Sequence, residues 1–172
     1  MRRPAESEYA PYYGGYVSQV AEEDILTVLD EQLQQLREFA AEVSSEQETY
    51  RYAPGKWSVR EVFGHLGDAE RVFGFRAFAF SRGEQQSLPG FDENQYVASS
   101  GSDRESLVSL MRELTYLRAG NLALLRRLDE EAWSRVGTAS GHPVTVRALA
   151  FMMAGHVRHH LKVLAERYGL GG

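Results

Sequence analysis

Three of the five histidines in this 172-residue sequence have the spacing to share a metal ion: His156 and His160, four residues apart, and His65 far upstream. At ~100° per residue with His156 at zero, Leu149 falls near 20°, His160 near 40°, Met153 near 60° and Leu164 near 80°. Both imidazoles therefore sit inside one apolar arc. Helical neighbours four residues apart have Cβ atoms only ~6 Å apart, which lets two imidazoles reach one ion. With His65 at zero, Ala69 lies near 40°, Val62 near 60° and Phe73 near 80°, so His65 also faces inward. The three together make a facial triad of nitrogen ligands that leaves positions for water or substrate. His159, at about 300° beside Glu166 and Lys162, falls on a polar margin outside the set. A lone core histidine is more often a hydrogen-bonded structural residue; the third inward imidazole is what favours a metal. Val157 follows His156, so the adjacent glutamate of the His-Glu-x-x-His zinc peptidases is missing.

Four amphipathic helices account for the positions of these residues. Leu26, Leu29, Leu33, Leu36, Ala40 and Val43 recur at spacings of three and four, which predicts a first helix from Glu22. Ser58 followed by Glu61 is a capping box that starts a second helix, running to about Arg82. A third begins near Asp103 and carries Leu107, Leu110, Leu114, Leu117, Asn121, Leu124 and Leu128. The fourth runs from about Thr145 to Tyr168, where Gly169 stops it. No period-two strand competes with this pattern, and Gly137 to Pro143 reads as a turn cluster. The expectation is an all-α four-helix bundle forming one domain over residues 1–172. Residues 1–18 form an irregular tyrosine-rich lead-in. The stretch from Gly83 to Gly101 is too long for a simple connection and is expected to roof a site.

Composition narrows the chemistry. There is no cysteine, so disulfides, cysteine-type zinc sites and a protein thiol nucleophile are excluded. Acidic residues outnumber basic ones by 24 to 19, which gives no pull toward nucleic acid or anionic lipid. With no export signal or membrane-spanning run, a cytoplasmic location and no membrane partner are expected.

Three segments carry a resemblance: Trp57 to Phe73 around His65, the loop Leu88-Pro-Gly-Phe-Asp-Glu-Asn-Gln-Tyr-Val97, and Val146 to His160. Together they resemble the DinB-like superfamily, its YfiT-like branch especially. The resemblance covers about Trp57 to Tyr168 and implies a four-helix bundle holding one divalent ion per chain, commonly nickel or zinc, through His65, His156 and His160. It also implies either thiol-dependent S-transfer, with bacillithiol, mycothiol or glutathione as cosubstrate, or metal-dependent hydrolysis.

Other polar residues near the apolar arcs complete the candidate site. Asp68, at the edge of the His65 arc, either orients an imidazole or water as a catalytic residue or is simply solvated. Arg76 lies inside that arc and needs a carboxylate, either from an acid such as Asp68 or Glu70 or from a substrate. Asn121 replaces a leucine in its stripe and is either a satisfied core amide or a substrate contact. Asp92, Glu93 and Asn94 are turn and cap residues by type, and the resemblance gives all three a place at the site edge, Asn94 as a substrate contact. Phe75, Phe78 and Phe151 fall outside the arcs, which suggests a homodimer interface, with packing against the lead-in as the alternative. The expected function is S-transfer from a small thiol to an electrophile. A hydrolase using the same triad, or a stress-related metal- or ligand-binding protein without turnover, would serve as well.

Overall fold

A computed structural model describes residues 2–171. Its helices are α1 (Gly14–Val17), α2 (Ile25–Glu42), α3 (Ser45–Glu48), α4 (Val59–Ser81), α5 (Glu93–Ser100), α6 (Leu107–Leu125), α7 (Glu130–Ser134) and α8 (Val146–Tyr168). The long helices α2, α4, α6 and α8 form a four-helix bundle. Each begins on a side-chain cap. At α4 the Ser58 hydroxyl accepts from the Glu61 N–H at 3.2 Å, and the Glu61 carboxylate accepts from the Ser58 N–H at 2.7 Å. α8 opens on Thr145 and ends at Gly169, whose φ of 68° is left-handed.

α4 packs against α6 and α8, and α2 packs against the same two helices. Consecutive helices α2 and α4 therefore occupy opposite corners, as do α6 and α8. The α2–α4 connection consequently crosses one end of the bundle. It carries Tyr52 and Trp57, whose ring lies 4.8 Å from that of His65.

The apolar core forms two halves along the bundle. Between them lies a polar layer in which all four long helices take part. Arg118 on α6 is fully buried and donates from Nε and Nη2 to the two Glu70 oxygens, each at 2.8 Å. Its Nη1 reaches Leu29 O at 3.0 Å and Gln32 Oε1 at 3.3 Å on α2. Gln32 in turn donates to Ala154 O on α8 at 2.8 Å. Such a network costs desolvation and fixes the register of the helices it joins.

Three expectations are corrected. The Gly137 to Pro143 turn cluster is part of a β-hairpin, with β1 (Val136–Ala139) antiparallel to β2 (His142–Thr145). Ser140 and Gly141 make its two-residue turn with φ of 54° and 78°. The strands are too short, and too full of glycine and proline, for a period-two signal. The loop from Gly83 contains α5, which Asp92 caps by accepting from the N–H groups of Asn94 and Gln95. Phe151 is fully buried in one half of the core and so belongs to no exposed interface patch, which leaves the alternative of ordinary packing for that residue. Phe75 and Phe78 are exposed.

Candidate metal centre

α4 and α8 bring the three predicted imidazoles together. His156 Nε2 lies 2.9 Å from His65 Nε2 and 3.1 Å from His160 Nε2, and all three residues are buried. The ligand atoms of the three lie within 4.8 Å of one another. Burial pushes the His65 pKa down to about 4 and that of His160 to about 3, and lowers His156 well below its ordinary value. All three rings are thus neutral at pH 7, the form that offers a lone pair to a metal.

The residues fit a divalent cation on two grounds. An imidazole nitrogen carries one proton or one lone pair, so His156 Nε2 can satisfy only one of its two close contacts by hydrogen bonding. A cation accepts all three lone pairs at once. Metal–nitrogen bonds of ~2.0–2.1 Å at tetrahedral or octahedral angles give ligand–ligand edges of ~2.9–3.4 Å, the range in which the two contacts of His156 Nε2 fall. His65 Nδ1 is buried without a hydrogen-bond partner, and it is Nε2 of that ring that faces His156.

Aromatic rings enclose the triad. Tyr16 stands edge-on to His156 at 5.3 Å, Phe73 at 5.9 Å, and Trp57 lies over His65. The close seat of Tyr16 depends on Gly155, where an added Cβ would come 2.0 Å from the Tyr16 carbonyl oxygen. Two cavities flank the triad. One, of about 270 Å³, is lined by Tyr12, Tyr13, Tyr16, Phe91, His65 and His156 among others. The other, of about 310 Å³, is bordered by Tyr52, Trp57, Asn94, His159 and His160.

Glu93, the first residue of α5, lines both cavities and has no hydrogen-bond or ion-pair partner among the described residues. By type it reads as an ordinary helix start; the resemblance gives it a place at the site edge, and the fold of the long loop sets it at both cavities. Asn94 lies beside it at the cavity edge, where the sequence places it. His159 packs at a tilt against Tyr16 at 5.4 Å and stays outside the ligand cluster, and His142 stands edge-on to Tyr12 at 5.6 Å in the hairpin.

The remaining candidates lie elsewhere. Asp68 makes no hydrogen bond to an imidazole among the described residues. Its carboxylate sits 3.9 Å from Arg71 and borders a separate cavity with Tyr96 and Glu113, and burial raises its pKa. Asn121 donates to Glu70 Oε1 at 2.7 Å and so belongs to the buried network. Arg76 pairs with neither Asp68 nor Glu70; its Nη2 donates to Pro89 O at 2.7 Å and Ser140 Oγ at 3.1 Å. Glu70 is instead taken by Arg118, a partner that a charged residue beside a leucine stripe does not reveal in sequence.

No helix of the described residues is long and apolar enough to cross a membrane. No curated protein matches the sequence. Among solved structures, the fold is similar to YfiT from Bacillus subtilis, described as a probable metal-dependent hydrolase with an unusual four-helix bundle topology. That match has a TM-score of 0.71 at 21% identity, over 98% of this chain and 94% of that one. A mycothiol-dependent maleylpyruvate isomerase is similar with a TM-score of 0.66 at 17% identity, over 84% of this chain but only 61% of its own. A DinB-like protein of Bacillus subtilis matches with a TM-score of 0.58 at 21% identity, over 87% and 94% of the two chains. The family match itself covers residues 29–164, which include all three histidines, α5, the whole of α4 and α6 and most of α2 and α8. The chain is a member of the DinB superfamily.

Proposed function

We propose that the protein is a divalent-metal-dependent S-transferase that takes a low-molecular-weight thiol and delivers its sulfur to a small electrophile. The observation that carries this reading is the neutral histidine triad placed between two cavities in a chain without cysteine. Nickel or zinc at the triad would supply positive charge, lowering the pKa of a bound thiol so that its thiolate is the species presented. His65, His156 and His160 hold that ion, and being neutral they leave its full charge to favour an anionic fourth ligand. The tyrosine-lined cavity and the Trp57 cavity give two reactants separate approaches to one centre. Glu93 stands between them with a free carboxylate that can take up the thiol proton, and Asn94 offers an amide to whichever reactant lies beside it. Trp57, Tyr16 and Phe73 keep water from the imidazoles. The similar mycothiol-dependent isomerase supports a thiol partner, and the hydrolase description of the similar YfiT supports the alternative, activation of water at the same triad. Exposed Phe75 and Phe78 support a homodimer, which sedimentation at micromolar concentration checks.

The test is a titration of the cobalt- or nickel-loaded protein with bacillithiol, mycothiol and glutathione. A sulfur-to-metal charge-transfer band that is lost in His160→Ala supports the proposal. Silence of every thiol at millimolar concentration, together with metal-dependent hydrolysis of esters or amides, replaces it with the hydrolase.

A further inference from the structure

Arg76 is 2% exposed and lies on α4 eleven residues beyond His65, about 16 Å along the helix. No carboxylate lies within ion-pairing distance of it among the described residues, and both of its hydrogen bonds leave from Nη2. A buried guanidinium without a counter-ion is costly, and its Nε–H and Nη1–H groups remain as single charge-assisted donors to an anion.

The hydroxyl beside it is held in place at a conformational cost. Ser140 occupies the first position of a two-residue hairpin turn with φ of 54°, where asparagine, aspartate or glycine adopts the left-handed conformation more cheaply. Serine there keeps Oγ at 3.1 Å from Arg76. As acceptor from Arg76, that hydroxyl still has its own proton to donate. The Tyr12 hydroxyl neighbours Ser140 and Tyr13 within the field of Arg76; burial and the hydrogen bond with Tyr13 raise its pKa to about 12, so the phenol stays protonated. Tyr12 is 57% exposed and lines the cavity that reaches His65 and His156. Side chains from the lead-in, α4 and the hairpin thus lie together, and of the three Tyr12 lines the cavity that reaches the triad.

We infer that Arg76, Tyr12 and Ser140 form an anion subsite that holds a carboxylate of the small thiol whose sulfur reaches the histidines. This inference rests on the thiol reading and deepens it: the cosubstrate is a thiol carrying a carboxylate many bonds from sulfur. A small neutral thiol would reach the metal without this anchor.

The experiment uses the cobalt-loaded full chain and follows the charge-transfer band with glutathione, glutathione diethyl ester and 2-mercaptoethanol. In parallel, L-malate is titrated into the zinc-loaded protein while the Arg76 Nε–H resonance is observed. Ser140→Gly is the main variant, because it removes the hydroxyl and relieves the positive φ, so the hairpin is not put at risk. Arg76→Met and Tyr12→Phe complete the set. Loss of a charge-assisted hydrogen bond predicts glutathione binding about 10–100-fold weaker in Arg76→Met, and a smaller loss in Ser140→Gly. The diethyl ester should bind the wild type as weakly as glutathione binds the variants, with 2-mercaptoethanol unchanged throughout. Malate should shift the Arg76 resonance, and Ser140→Gly should weaken that effect. Equal affinity for acid and ester, with a visible band, overturns the subsite and leaves the thiol reading intact. If no thiol produces a band, the thiol reading fails and malate alone decides: a shift upholds an anion site, and no shift overturns it.

Discussion

His65 Nε2 and His156 Nε2 lie 2.9 Å apart although 91 residues separate them in the chain. The contact exists because α4 and α8 are neighbours in a bundle whose consecutive helices sit diagonally, and because both rings face the polar layer between the two apolar halves. Glu70 lies five residues beyond His65 in that layer, and its ion pair with Arg118 holds the layer in register.

Removing one partner of that pair should therefore cost more than removing both. Glu70→Ala leaves a fully buried guanidinium uncompensated, and a loss of about 3–5 kcal/mol is expected. The double variant Glu70→Leu, Arg118→Leu should recover most of it. Urea unfolding of the two variants and the wild type measures the difference, and equal losses would show that the pair sets no register.

Gly155→Ala should displace the lead-in from α8. Its added Cβ would meet the Tyr16 carbonyl oxygen at 2.0 Å, a backbone atom that cannot swing aside as a side chain could. A loss of about 1–3 kcal/mol is expected from such overpacking. Faster proteolysis within the first twenty residues would accompany it, and unchanged cleavage would place the tyrosine wall elsewhere.

Glu93→Gln separates proton acceptance from metal binding. Metal content should be unchanged, since Glu93 lies outside the ligand cluster. The rate of thiol transfer should fall about 100-fold or more if the carboxylate takes the proton. A simultaneous loss of metal would make Glu93 a ligand and not a base.

In the metal-free protein, acid should erode stability from a definite starting point. Burial lowers the pKa of His65 from 6.5 to about 4, that of His160 to about 3, and that of His156 in the same direction. The unfolded chain takes up these protons near pH 6.5, while the folded chain does so only near pH 4 and below. Stability is therefore at its plateau above about pH 7 and declines as pH falls through 6.5 toward 4. Urea midpoints at pH 8, 6 and 4.5 check this, and the slope should flatten in His65→Phe.

The helices and the triad were legible because each rests on a local rule. Ser58 and Glu61 cap α4, Gly169 ends α8, and the inward direction of His65, His156 and His160 follows from helical spacing alone. What escaped depends on contacts between distant segments. Phe151 falls on the apparent outer face of α8, where spacing alone leaves an interface and packing against the lead-in equally open, and only the fold shows it buried. The hairpin is built from residues that also make plain turns, and its register appears only when Val136 meets Thr145. Glu70 and Arg118 carry surface-type side chains, so their burial is invisible until α4 and α6 are brought together. Glu93 reads by type as a helix-start acid, and helical spacing says nothing of its place at the cavities, which the resemblance alone suggests for it together with Asp92 and Asn94.

Metal analysis of the purified protein and its histidine variants bears most directly on the proposed centre. About one divalent ion per chain is expected in the wild type, His142→Ala and His159→Ala, and close to none in His65→Ala, His156→Ala and His160→Ala. Full metal content in His156→Ala, the residue whose Nε2 contacts both other rings, would contradict the site.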